Sequence, residues 1–130
     1  GSVIPPAARP RVLVGDLNVA PYENDVWSHR QLLKIVSHTP VETDLLKRAL
    51  ARLGWVDAVR HLHPEPLRVY TWWSYRNRDW RKSNRGRRLD HVLTTPALEG
   101  STIGLRVLHE ARDWPRTSDH VPIIADFVIP

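Results

Sequence analysis

Apolar residues fall into short patches along the chain, and their spacing separates strands from a helix. Arg11-Val12-Leu13-Val14 is a brief run closed by Gly15, the pattern of a short, largely buried strand. Leu45, Leu46, Ala49, Leu50 and Leu53 recur at helical spacing instead. Thr39 can cap that helix, Pro40 suits its first position, Glu42 completes a capping box and Gly54 supplies a stop. A helix is therefore expected over 40–53, with its leucines in the core. Residues 55–60 fit either a further helical turn or a strand entry. The stretches 69–75, 89–94, 102–108 and 121–128 are rich in β-branched and aromatic residues or alternate, and are expected as strands. Pro5, Pro6 and Pro10 make the lead-in extended, and 21–28 reads as loop. Strand, helix, then several strands predicts an α/β or α+β fold with one mixed, mostly antiparallel sheet and a flanking helix.

Composition narrows this picture. With 130 residues the chain is at most one ordinary domain, and 42% hydrophobic with 25% charged residues fits a globular protein and not a disordered tail. Gly1-Ser2 reads as a cloning scar, so residues 1–10 are taken as lead-in and 11–130 as the domain. Without cysteine there is neither a disulfide framework nor a thiolate metal site. No apolar run approaches the roughly 20 residues that span a bilayer, and no secretory signal is visible. A cytoplasmic protein without a membrane partner is expected. The net charge of +5 is carried mostly by arginine, whose fork matches phosphate oxygens. Arg76, Arg78, Arg81, Lys82, Arg85, Arg87 and Arg88 crowd one stretch, interleaved with Trp72, Trp73, Tyr75 and Trp80. Cations beside aromatic faces suit nucleic acid backbones and unstacked bases.

Three polar motifs carry candidate chemistry. Gly15-Asp16-Leu17-Asn18, Asn84 to Asp90 and Ser118-Asp119-His120 each fall at a strand end or in an adjoining loop. Together Asp16, Asn18, Asp90, Asp119 and His120 supply the groups that phosphodiester hydrolysis needs: a hard cation site, a water-positioning carboxylate and an oriented imidazole. Taken singly, each has a plainer explanation. Asp16 and Asn18 could be turn residues, Asp90 could pair with Arg87 or Arg88, and one of Trp72 and Trp73 must face the core. Ser118 lacks a nucleophile elbow, which argues against a serine hydrolase.

In register, these motifs resemble the exonuclease III family of abasic-site endonucleases, within the endonuclease/exonuclease/phosphatase superfamily. Gly15 to Asn18 is similar to its GD-x-N motif, Tyr70 to Arg76 to its aromatic strand, Asn84 to Asp90 to its N-x-G-x-R-(L/I)-D segment, and Ser118 to His120 to its terminal SDH. The resemblance implies that Asp16 handles the attacking water or the leaving group and that Asn18 hydrogen-bonds the phosphate. It implies that Asp119 lies at a Mg²⁺ or Mn²⁺ centre, and that Asp90 orients His120 toward the scissile phosphate. Trp72 and Leu89 would line a pocket for a base-free sugar, with Tyr75, Arg76, Asn84, Arg85, Arg87 and Arg88 as further DNA contacts. Arg87 replaces a residue that is often aromatic in relatives. The implied substrate is double-stranded DNA with abasic sites or 3′ ends, and the implied architecture is a four-layered α/β-sandwich. Relatives place a further metal-binding glutamate in an N-terminal half that nothing here resembles. The chain is thus expected to be the C-terminal half of that sandwich, weakly active or inactive alone. It would need the missing half, or a homodimer through an exposed sheet face. A non-catalytic nucleic-acid-binding or self-associating module, and a superfamily phosphatase acting on non-DNA esters, are the alternatives.

Overall fold

A computed structural model describes residues 9–129, so Pro5 and Pro6 of the lead-in lie outside the described residues. In chain order the elements are β1 (Val12–Asp16), α1 (His29–Leu32), α2 (Pro40–Leu53), β2 (Val56–Asp57), α3 (Ala58–Leu62), α4 (Trp80–Ser83), β3 (Asp90–Thr94), β4 (Thr102–Val107) and β5 (Ile123–Phe127). The caps of α2 act as their chemistry dictates. The Thr39 hydroxyl accepts the Glu42 N–H and donates to the Glu42 carboxylate, and Gly54 turns left-handed (φ 75°) to end the helix. Residues 55–60 serve both expected roles: Val56–Asp57 pairs with β3, and the Asp57 side chain then caps α3.

Described strand pairs are antiparallel and resolve into a three-stranded sheet, β1-β3-β2, and a two-stranded one, β4-β5. Single bridges run across part of the gap between them: Val26 opposite Arg87, Arg87 opposite Trp72, Trp72 opposite His120. Residues 69–75, expected as a strand, contribute to no regular ladder. The Thr71 and Trp72 N–H groups both donate to the Arg87 carbonyl, at 3.0 and 3.1 Å, and this two-against-one pairing breaks the alternation. The break sits beside the motif glycine Gly86, where an added Cβ would lie 2.4 Å from the buried Tyr70 ring. Only glycine permits that approach.

Three apolar clusters form the core. Tyr70, Trp73, Trp80, Ala111 and Val121 make one; Ala20, Val26, Leu32 and Leu89 a second; α3 against Val92 and Leu105 the third. Two expectations fail here. β1 is an edge strand with all five residues exposed, including Val14 at 64%, because among the described residues β3 alone flanks it and no cluster covers it. The α2 leucines are not core either: none of its residues is buried, and Leu45 and Leu53 are 61% and 68% exposed.

Candidate active site

The register of β1 against β3 places Asp16 directly opposite Asp90. The bridge from Trp72 to His120 then brings the Ser118-Asp119-His120 turn alongside. His120 Nδ1 donates to Asp90 Oδ2 at 2.8 Å. Its Nε2 faces Asp16 Oδ2 at 3.6 Å and Asp119 Oδ1 at 3.9 Å. Burial alone would lower the imidazole pKa, but the hydrogen bond and charge of Asp90, with the charges of Asp16 and Asp119, outweigh it and raise the value. The result is a histidine biased toward its charged form, with one N–H aimed between two carboxylates.

Each carboxylate is itself held. Asp16 Oδ1 accepts the Asn18 backbone N–H at 2.8 Å. With its NH₂ group turned toward Asp16, the Asn18 carboxamide donates to both carboxylate oxygens at 3.2 Å. Asp119 Oδ2 accepts the Trp72 indole N–H at 3.0 Å. The Ser118 hydroxyl accepts the His120 backbone N–H at 3.0 Å, a turn-forming contact. Oxygen or nitrogen atoms of Asp16, Asp90 and His120 converge within 4.8 Å of one another. Hard carboxylate oxygens in such a cluster fit a Mg²⁺- or Mn²⁺-type cation better than a soft metal.

The stretch of chain that carries these residues follows a family-wide sequence pattern: the model of the Endonuclease/Exonuclease/phosphatase family matches residues 2–120. The chain belongs to this family. Among its endonuclease/exonuclease/phosphatase relatives, recombination repair protein 1 of Drosophila melanogaster is 34% identical over 95% of this chain and 17% of its own length. Exodeoxyribonuclease III of Haemophilus influenzae is 29% identical over 92% of the chain and 46% of its own length. An AP endonuclease from Archaeoglobus fulgidus superposes with a TM-score of 0.89 at 32% identity, covering 95% of this chain and 47% of that one. A 3′ phosphatase from Neisseria, bound to product DNA hairpin, gives 0.83 at 34%, covering 90% and 44%. The resemblance to exonuclease III-type enzymes is thereby borne out, and the chain folds as a fragment of the α/β-sandwich. The chain spans less than half the length of each of these relatives.

The remaining sequence-derived residues divide sharply. Trp73 is core, 1% exposed, whereas Trp72 is half-buried and turned to Asp119. Leu89 is buried beside Trp72 in the second cluster. Tyr75, Arg76, Asn84 and Arg85 are exposed; Arg85 stacks over Trp27 at 4.7 Å, and Asn84 accepts the Trp73 indole N–H at 3.1 Å. Arg87 lies over the Trp72 ring at 5.0 Å and donates to the Val36 carbonyl and the Ser37 hydroxyl. Arg88 is a correction. It is fully buried, its guanidinium bonded to Asp25 at 2.7 and 3.0 Å and to Asp57 at 2.8 and 3.1 Å, so it has no donor to spare for DNA.

That network is what sequence reasoning missed. Asp25, also fully buried, further accepts from Arg60 Nε at 3.1 Å, giving two carboxylates for two guanidinia. Arg88 Nη1 donates to His91 Nδ1, and His91 Nε2 donates to the Val19 carbonyl at 2.8 Å. Burial and the Arg88 charge lower the His91 pKa and keep it neutral, as that tautomer requires. The network thus holds the loop that follows Asp16 and Asn18. Asp57 carried a usable signal, preceding a helical run as a cap; Asp25 carried none.

Proposed function

We propose that this chain carries one wall of the active site of a DNA-repair phosphodiesterase of exonuclease III type, acting on duplex DNA at abasic sites or 3′ ends. The observation supporting it most is His120, gripped by Asp90 while its other nitrogen faces Asp16 and Asp119. The Nε2–H stands to donate to a nonbridging phosphate oxygen as negative charge develops there. Asp16, braced by Asn18, orients the attacking water and accepts its proton. A divalent cation held by the converging Asp16 and Asp90 carboxylates, with Asp119 as the further ligand that the resemblance implies, would supply neutralisation of the phosphate charge and of the leaving oxygen. Trp72 fixes Asp119 by its indole N–H, and the Arg76 and Arg85 side chains offer backbone contacts.

The further glutamate that the resemblance implies is to come from a half like that of the relatives, or from a second copy of the chain. Cleavage by this chain alone is accordingly weak. The test is incision of an abasic duplex and digestion of a recessed 3′ end, with Mg²⁺ or with chelator. His120→Ala and Asp119→Ala are expected to lower any cleavage by about 10²-fold or more, with duplex binding retained. Chelator-resistant cleavage, or cleavage indifferent to His120→Ala, overturns the reading. Vigorous cleavage by the chain alone overturns the need for a second contributor. The same cluster would serve a phosphomonoester, as the likeness to a 3′ phosphatase suggests; the arginine–aromatic surface favours a nucleic acid end over a small ester.

A further inference from the structure

Beside His120 lies a cavity of about 220 Å³ whose lining includes none of Asp16, Asp90 and Asp119. His120 forms part of its wall, and Trp114, Arg116, Thr117 and Pro122 form much of the rest. Trp114 is 54% exposed, an unusual position for the largest apolar side chain. Its indole makes no hydrogen bond or stacking contact among the described residues, in contrast to Trp72, Trp73 and Trp80, whose indole N–H groups all find carboxylate or amide oxygens. Arg116 is exposed, without an ion pair among the described residues, on a left-handed turn (φ 51°) that β-carbon sterics disfavour.

The loop is braced rather than loose. The Trp114 N–H donates to the Ala111 carbonyl at 3.1 Å, and the Thr117 hydroxyl donates to the same carbonyl at 2.6 Å. The Tyr75 hydroxyl donates to the Thr117 carbonyl at 2.8 Å, while Arg112 supports the Tyr75 ring from 5.0 Å. A solvent-facing indole on a braced loop, beside an unpaired guanidinium, is a platform on which a base stacks while its phosphate meets a cation. A base within a duplex already has its stacking partners and gains nothing from such a platform. An unpaired terminal base gains both.

Resting on the nuclease reading above, we propose that the Trp114–Arg116 cavity is a nucleotide subsite that takes the unpaired base next to the scissile phosphate. It would give this site a preference for frayed or single-stranded ends over flush duplex. The test is fluorescence anisotropy of a labelled tetrathymidylate and of a blunt duplex with the whole chain. Trp114→Ala is expected to weaken tetrathymidylate binding about tenfold, with Trp114→Phe restoring most of it. Blunt-duplex binding, carried by phosphate contacts elsewhere, is expected to change less than about twofold. Because Trp114 is exposed, the fold survives both changes, and an unaltered melting curve checks this. Tetrathymidylate binding indifferent to Trp114→Ala, or equal losses on both DNAs, overturns the subsite alone. If the unaltered chain binds neither DNA, the nuclease reading falls with it.

Discussion

Asp25 has no solvent exposure, yet it faces two guanidinia and remains ionised. Burial by itself would raise its carboxyl pKa, but the hydrogen bonds and charge of Arg88, joined by Arg60, reverse that and hold it below the usual carboxylate range. A depressed folded-state pKa means the stabilisation is fully present above the unfolded carboxylate value of about 3.9. It is lost as pH falls through the lower, folded value. Urea denaturation across the acid range is expected to show wild-type stability falling with pH, and an Asp25→Asn chain falling less steeply; parallel profiles would contradict this. At neutral pH, Asp25→Ala strands buried positive charge and is expected to cost about 3–5 kcal/mol. His120 has the opposite sign. Its raised pKa stabilises the fold below the unfolded histidine value, and that contribution disappears as pH climbs through the folded one.

Among the elements, α2 is the one whose ends were most legible, because capping is local chemistry. Thr39, Pro40, Glu42 and Gly54 each do what their side chains or backbones permit within a few residues. Gly54→Ala, forced to a φ of 75°, is expected to lower stability by about 1 kcal/mol, read from a urea midpoint. The fate of the leucines was not legible, since periodicity reports that a face is apolar and not what covers it. Residues 69–75 show a second limit: β-branched composition favours extended backbone, but the paired donors on Arg87 and the tight contact at Gly86 are set by a distant segment. Gly86→Ala drives a methyl into Tyr70 and is expected to cost about 1–3 kcal/mol. For the candidate site, strand-end placement was enough to gather Asp16, Asp90, Asp119 and His120. It could not separate Arg87 from Arg88, adjacent residues of one type that an extended backbone sends to opposite faces, one to Trp72 and one to Asp25.

At the scale of the molecule, β1 and α2 both present apolar side chains that no other described residue covers. Val12, Leu13 and Val14 of β1 are 45%, 45% and 64% exposed, and α2 shows Val41, Leu45 and Leu53. An unpaired edge strand of this composition invites pairing with another chain. Sedimentation of the isolated chain is expected to show concentration-dependent association, reduced by Val14→Lys. A monomer at every concentration would remove β1 as an interface.

The hydrogen bonds that assemble the site have a bearing on folding order. Asp25 is separated from Arg88 by 63 positions, Trp72 from Asp119 by 47 and Asp90 from His120 by 30. None can form until a long loop has closed, whereas α2 needs only its own neighbours. During synthesis, Asp119 and His120 emerge after each of the partners named for them. β1 likewise waits for β3, its partner about 75 positions further on, so of these features only α2 is local. The long-range contacts of the proposed site therefore form only after the local structure of α2 has become available.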